Sequence, residues 1–355
     1  MSLSLSSKKF GKTPSGDEVT LFTLSLNKKV SLSVMDYGAT WTHLFIPDRN
    51  GKMEDVLLGF DSMKGYTDPE YLDNYCYLGS TVGRIAGRIG GNKFELDGKI
   101  YRLPLNAGTS HLHGGIRGWD RKMWSVEPFE TDDSVGITFY YKSPDGEENY
   151  PGTIDIWVTY TLDATGLVEI KYKAISDQKT IINPTNHAYF NLSGKFDQSI
   201  EDHVFWINAD SFLPMDENSI PTGALFPVDG SAFDFRTPTR LSKNLGLHDP
   251  QLEVAGGIDH CFVLNQSEDC AILYHEGSGR ELILSTTEPG LQVYTSNYMN
   301  ASFTGKHGIR PGKRVAICLE TQHYPDSINQ PDFPSVVLMP GEIFDSRTQF
   351  RFRAE

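Results

Sequence analysis

Thr153-Ile154-Asp155-Ile156-Trp157-Val158-Thr159-Tyr160-Thr161-Leu162, then Asp163-Ala164-Thr165-Gly166, then Leu167-Val168-Glu169-Ile170-Lys171-Tyr172-Lys173-Ala174-Ile175-Ser176, reads as two strands joined by a turn. Apolar and polar residues alternate in both arms with a period of two, the spacing that gives a strand one core face and one wet face. Between them Asp, Thr and Gly supply turn chemistry. The same alternation recurs in Val19 to Leu24, Val135 to Lys142 and Arg280 to Thr287, and turns are signalled at Asp97-Gly98, at Ser143-Pro144-Asp145-Gly146 and at Gly277-Ser278-Gly279. Helical periodicity is scarce: Pro69 to Tyr75 and Thr239 to Leu247 predict a turn or two of helix each. The expected fold is all-β, a large antiparallel β-sandwich with few short helices, in which two large sheets pack face to face and leave a concave outer sheet for a ligand.

The chain has 355 residues, and its 33 glycines and 19 prolines are spread along it with no linker and no repeat, so a single domain over 1–355 is expected. Its four cysteines, Cys76, Cys261, Cys270 and Cys318, are scattered, without the spacing of a zinc site or a disulfide framework. They fit a reducing compartment, and the opening MSLSLSSKKF lacks a secretory apolar run, so a soluble, cytoplasmic protein is expected. A net charge of −14 repels nucleic acid and anionic membranes, which leaves a neutral or cationic small molecule as the expected partner.

Four stretches could carry chemistry. In Asn183 to Gly194, a strand over 187–192 would place His187, Tyr189 and Asn191 on one face and Ala188, Phe190 and Leu192 on the other. The polar row suits a site that donates hydrogen bonds and a proton to a polyhydroxylated ligand, and equally a solvated strand face with a structural histidine. In Val315 to Glu320, the carboxylate follows Ala316 and Cys318 on its own face. There it is either a partly desolvated general base or an ordinary solvated strand end. Ser110-His111-Leu112-His113-Gly114-Gly115 puts two imidazoles at i and i+2, but no Glu follows at metal spacing and H-E-x-x-H is absent. No metal is expected, and His113 reads as a hydrogen-bonding group. Gly83-Arg84-Ile85-Ala86-Gly87-Arg88-Ile89-Gly90-Gly91 fails the phosphate-loop tests, so its arginines are free to meet sugar hydroxyls or brace a carboxylate.

Together with Ser143 to Glu148, Gly257-Ile258-Asp259-His260 and Leu319-Glu320-Thr321-Gln322, these stretches resemble the aldose 1-epimerase (galactose mutarotase) family, in matching order along essentially the whole chain. The resemblance implies the family's β-supersandwich and interconversion of the α and β anomers of free hexoses such as galactose and glucose, with no cofactor. By residue it implies a general acid at His187 and a general base at Glu320. Arg88, His113, Asp259 and Gln292 would hold sugar hydroxyls. Apart from the resemblance, an aromatic such as Tyr189 or Phe303 is expected to pack on the sugar face. The family usually carries Asn before the arginine matched by Arg88, where this chain has Gly87, so one hydrogen bond to the sugar is expected to be missing. Three alternatives stand beside this reading: a non-catalytic sugar-binding protein, a hexose-6-phosphate mutarotase, and a metal-dependent β-sandwich enzyme built on His111 and His113.

Overall fold

The computed structural model describes residues 2–265 and 267–355. Where the period-two pattern is strongest it is obeyed residue for residue: along Ile154–Asp163 the side chains of Ile154, Ile156, Val158, Tyr160 and Leu162 are buried while those between them are half-buried. Each such burial stabilises the fold by roughly 1.5–3 kcal/mol relative to exposure. Asp163 turns the chain: its Oδ1 accepts from the Thr165 and Leu167 amides at 2.8 and 3.0 Å, and Ile154–Asp163 then pairs antiparallel with Val168–Ser176.

These two strands belong to a nine-stranded antiparallel sheet in which Ile343–Ala354, the last strand of the chain, lies between Val168–Ser176 and Arg280–Thr286. A six-stranded sheet runs in the order Tyr189–Phe190, Ile317–Gln322, Gly290–Tyr294, Asp259–Leu264, Ala209–Phe212, Phe226–Pro227. Residues 3–55 form a third sheet, a five-stranded meander. The expectation of two large sheets leaves out this meander and four two-stranded ribbons, because alternation identifies strands but not their partners.

One hydrophobic core joins all three sheets. At its centre Trp41, from the meander, makes edge contacts with Tyr160 and Phe350 of the nine-stranded sheet and Phe190 of the six-stranded one, at 6.3, 5.3 and 5.9 Å. Ile317, Leu319 and Thr321 point into this layer, where Thr321 Oγ1 meets Thr348 Oγ1 at 2.6 Å. The intervening residues Cys318, Glu320 and Gln322 therefore face the opposite side of the six-stranded sheet.

Helix is a minor component, as the sequence suggests. Pro69–Leu72 is capped by Asp68, and the stretch from Thr239 splits into a two-residue strand and the helix Leu241–Leu245. The helix Pro250–Ala255 was not anticipated, although its signals are in the sequence. Asp249 caps it by accepting from the Gln251 amide, Pro250 opens it, and Gly256 ends it at φ +66°.

Candidate active site

On the face of the six-stranded sheet away from the core lies a cavity of about 390 Å³. Register builds its floor. Glu320 pairs with Gln292, Gln292 with Cys261, and Tyr294 with Asp259, so three adjacent strands present a carboxylate, an amide and a second carboxylate side by side. Gln292 Nε2 donates to Asp259 Oδ1 at 2.8 Å, which aims the Asp259 carboxylate. Tyr189 belongs to the sheet itself, where its pairing with Cys318 brings His187, two positions earlier, beside Glu320, while Arg88 and His113 come from a neighbouring two-stranded ribbon and its loop. His187, Glu320, Arg88, His113, Tyr189, Asp259 and Gln292 all line this cavity.

His187 Nε2 stands 3.7 Å from Glu320 Oε1, with both side chains almost wholly buried. Glu320 Oε2 has no hydrogen-bond partner among the described residues. Burial drives the Glu320 carboxyl well above its usual range, helped by the nearby Asp259 charge, and lowers His187 from 6.5 to about 4. The imidazole is stacked between two phenol rings, Tyr77 at 5.9 Å and 16° and Tyr189 at 5.0 Å and 17°. Its Nδ1 lies 3.5 Å from Cys318 Sγ. Burial also raises Asp259, opposed by the Arg88 charge and the Gln292 hydrogen bond.

His113 is neutral, since burial and then the His187 and Arg88 charges hold it well below 6.5. The Gly87 amide donates to His113 Nδ1 at 3.2 Å, so the ring proton sits on Nε2 and His113 presents a donor to the cavity. Donor atoms of His113, His187 and Glu320 lie within 4.8 Å of one another, a spacing that could suit a cation. With Nδ1 occupied by that amide, however, Nε2 has no lone pair to offer, and the trio is better suited to hydroxyl groups. A second cluster, Asp202, His203 and His275, has both tautomers set in the same way. Leu192 N–H donates to His203 Nε2 and Ser278 N–H to His275 Nδ1, so the other two ring N–H groups point at Asp202.

Several motif residues brace the site from behind. His111 bonds Pro104 O and Tyr150 Oη at 2.8 and 2.6 Å, which separates it from His113. Arg84 is buried and donates to Ser143, Pro144 and Pro151, whereas Arg88 reaches the cavity. Asn191 does not join His187 and Tyr189: its Nδ2 donates to the carbonyls of Lys195, Gln198 and Val315. The extended pairing covers only Tyr189–Phe190, and the chain turns before Asn191 can share their face. Phe303 lines the cavity but packs mainly on Phe60 and Tyr71, at 5.6 and 5.3 Å. Gly87 adopts φ +73°, and a Cβ there would lie 2.9 Å from Pro325 Cβ. Pro325 thus occupies space that a longer residue at 87 would need.

Sequence reasoning did not find Tyr77, Cys318, Tyr298 or Gln322 as parts of this site, although all but Cys318 line the cavity and Cys318 touches His187. Only the Leu-Glu-Thr-Gln motif, with Gln322 two positions beyond Glu320 and so on the same strand face, gave a usable signal.

Comparison with known proteins agrees with this geometry. The family profile for aldose 1-epimerase matches residues 20–351. Galactose mutarotase of Sus scrofa is 45% identical over 347 residues, 97% of each chain. Aldose 1-epimerase of Escherichia coli is 33% identical over 350 residues, 96% of this chain and 97% of that one. A solved galactose 1-epimerase from Lactobacillus acidophilus superposes with a TM-score of 0.86 at 31% identity over 99% of both chains. A profile match over nearly the whole chain and relatives aligned end to end establish that the chain belongs to the aldose 1-epimerase family and is an isomerase of that class.

Proposed function

We propose that the chain interconverts the α and β anomers of free hexoses, galactose and glucose among them, in the cytoplasm, with His187 and Glu320 as the acid–base pair. The observation that carries this is their buried approach at 3.7 Å with Glu320 Oε2 unpartnered, facing a cavity rich in hydrogen-bonding groups. Arg88, His113, Asp259 and Gln292 bind the remaining hydroxyls, and Tyr189 acts through its stacking on His187.

Ring opening needs one proton taken from O1 and one given to the ring oxygen O5. The ionised Glu320 carboxylate removes the O1 proton while protonated His187 donates to O5 and the C1–O5 bond breaks. An open-chain aldehyde results, with neutral His187 and protonated Glu320. Rotation about C1–C2 presents the other carbonyl face. Closure reverses both transfers, so nothing is consumed. The pair holds one proton throughout, and burial favours the neutral arrangement that accompanies the aldehyde. A bound pyranose supplies the O1–H hydrogen bond that stabilises the carboxylate form.

Each positioned proton donor or acceptor contributes about 10²–10⁴ in rate. Glu320→Gln and His187→Asn are each expected to lose roughly that factor in kcat, followed by polarimetry from a freshly dissolved pure anomer. A variant keeping near-normal exchange removes its residue from the mechanism. For a sugar phosphate the site lacks a clamp: Arg88 is the only Lys or Arg among the described cavity-lining residues, amid Asp73, Asp259 and Glu320. Galactose is therefore expected to outrun its 6-phosphate.

A further inference from the structure

Gln322 is fully buried, yet neither its Nε2 nor its Oε1 has a hydrogen-bond partner among the described residues. An amide left this way costs roughly 1–3 kcal/mol, so its retention points to a partner outside the protein. Gln322 lines the cavity on the same strand face as Glu320, two positions further along Ile317–Gln322. Its cross-strand neighbour is Gly290, which offers no side chain. Cys261 Sγ and Tyr324 Cδ1 lie 2.8 and 3.0 Å from where a Gly290 Cβ would be, so the space beside Gln322 on that strand admits no side chain.

Position along the strand orders the groups. His187 lies on the Cys318 side of Glu320, with Nδ1 3.5 Å from Cys318 Sγ, and Gln322 flanks Glu320 on the opposite side. A pyranose with O5 at His187 and O1 at Glu320 therefore has Gln322 beyond O1. Anomer exchange requires the site to serve O1 in two positions, axial and equatorial, and as a carbonyl oxygen between them. In the open-chain state the protonated Glu320 carboxyl donates one hydrogen bond to the carbonyl oxygen, which has a second lone pair open to another donor.

We infer that Gln322 is a substrate-binding residue for the anomeric oxygen. Its Nε2 donates to O1 in the open-chain aldehyde and in one of the two anomers, which leaves the O1 proton to Glu320. This rests on the anomer exchange proposed above and adds the group that holds O1 after rotation.

The test uses Gln322→Met and Gln322→Leu, with kcat and KM measured from pure α- and pure β-galactose and thermal unfolding alongside. Exchange of either anomer by the unaltered protein is measured first. If there is none, the proposed function fails and this inference with it. If it is present, the variants should lose about ten- to a hundredfold in kcat/KM, less than the hundred- to thousandfold of a dedicated oxyanion donor. The solution equilibrium forces an equal factor on both anomers, but the loss divides differently. The anomer whose O1 already touches Gln322 shows a raised KM, and the other, which reaches it only after rotation, shows a lowered kcat. A merely structural amide would lower Tm on replacement, whereas here Tm holds or rises because an unpartnered polar group is removed. Constants within twofold of the unaltered protein for both anomers overturn the inference, as does an equal rise in both KM values with kcat unchanged. Should the variants not fold, a sugar-bound structure of the unaltered protein decides. The Gln322 amide within hydrogen-bonding distance of O1 supports the inference, and an amide holding only water with O1 elsewhere overturns it.

Discussion

A carboxylic acid and an imidazole placed 3.7 Å apart beneath a sheet lose most of their hydration, and both then prefer to be neutral. This sets the pH response. Activity needs the pair to carry one proton. A second proton enters only as His187 titrates, lowered by burial from 6.5 to about 4, so kcat/KM should stay level on acidification to about pH 5 and fall with a midpoint near 4. On the alkaline side the single proton is lost from Glu320, whose carboxyl burial raises well above 4.5, so that limb lies far above the usual carboxylate range. Polarimetry across pH on the free sugar reads both limbs. An acid limb at 6.5 would show that the imidazole is solvated in the working enzyme.

At the scale of elements, the cavity depends on a loop that the sheets do not hold by themselves. Residues 295–316 leave Gly290–Tyr294, carry Tyr298 and Phe303 past the cavity, and return to Ile317–Gln322. Lys306 pins this loop: its buried Nζ donates to Asp55 Oδ2 and to the carbonyls of Thr42 and Leu57, at 2.5, 2.6 and 2.9 Å. Every proton of the ammonium is used. Lys306→Met leaves Asp55 buried without its cation and is expected to cost about 3–5 kcal/mol, measured by urea unfolding. Adding Asp55→Leu should recover part of that loss, because the uncompensated charge is then gone. A single-variant cost below about 1 kcal/mol would show that water replaces the ammonium.

For the molecule as a whole, the chain's end is structurally central. Ile343–Ala354 pairs along its length with Val168–Ser176 and Arg280–Thr286, and Phe350 packs on Trp41 where the three sheets meet. Deleting residues 343–355 splits the nine-stranded sheet into two pieces with raw edges. The truncated chain is expected to be insoluble or to lack a cooperative thermal transition. Removing residues 2–7 instead trims an edge strand that is mostly exposed and should leave the transition in place. Circular dichroism on both shortened chains, with soluble yield, distinguishes a central strand from a peripheral one.

What the sequence determined by itself was local: the faces of Ile154–Asp163, the turn at Asp163 and the opposition of Glu320 to Leu319, all consequences of side chains alternating along an extended backbone. The family resemblance then implied roles for His187, Glu320, Arg88, His113, Asp259 and Gln292, the last of these outside every quoted motif. Tertiary structure decided what those residues share. Only strand register put Gln292 between Glu320 and Cys261 and, through the pairing of Tyr189 with Cys318, His187 beside Glu320; only the surrounding fold sent Asn191 inward and left Gln322 without a partner among the described residues. Desolvation and pairing depend on neighbours distant in the chain, and a period of two records which way a side chain points but not what it meets there.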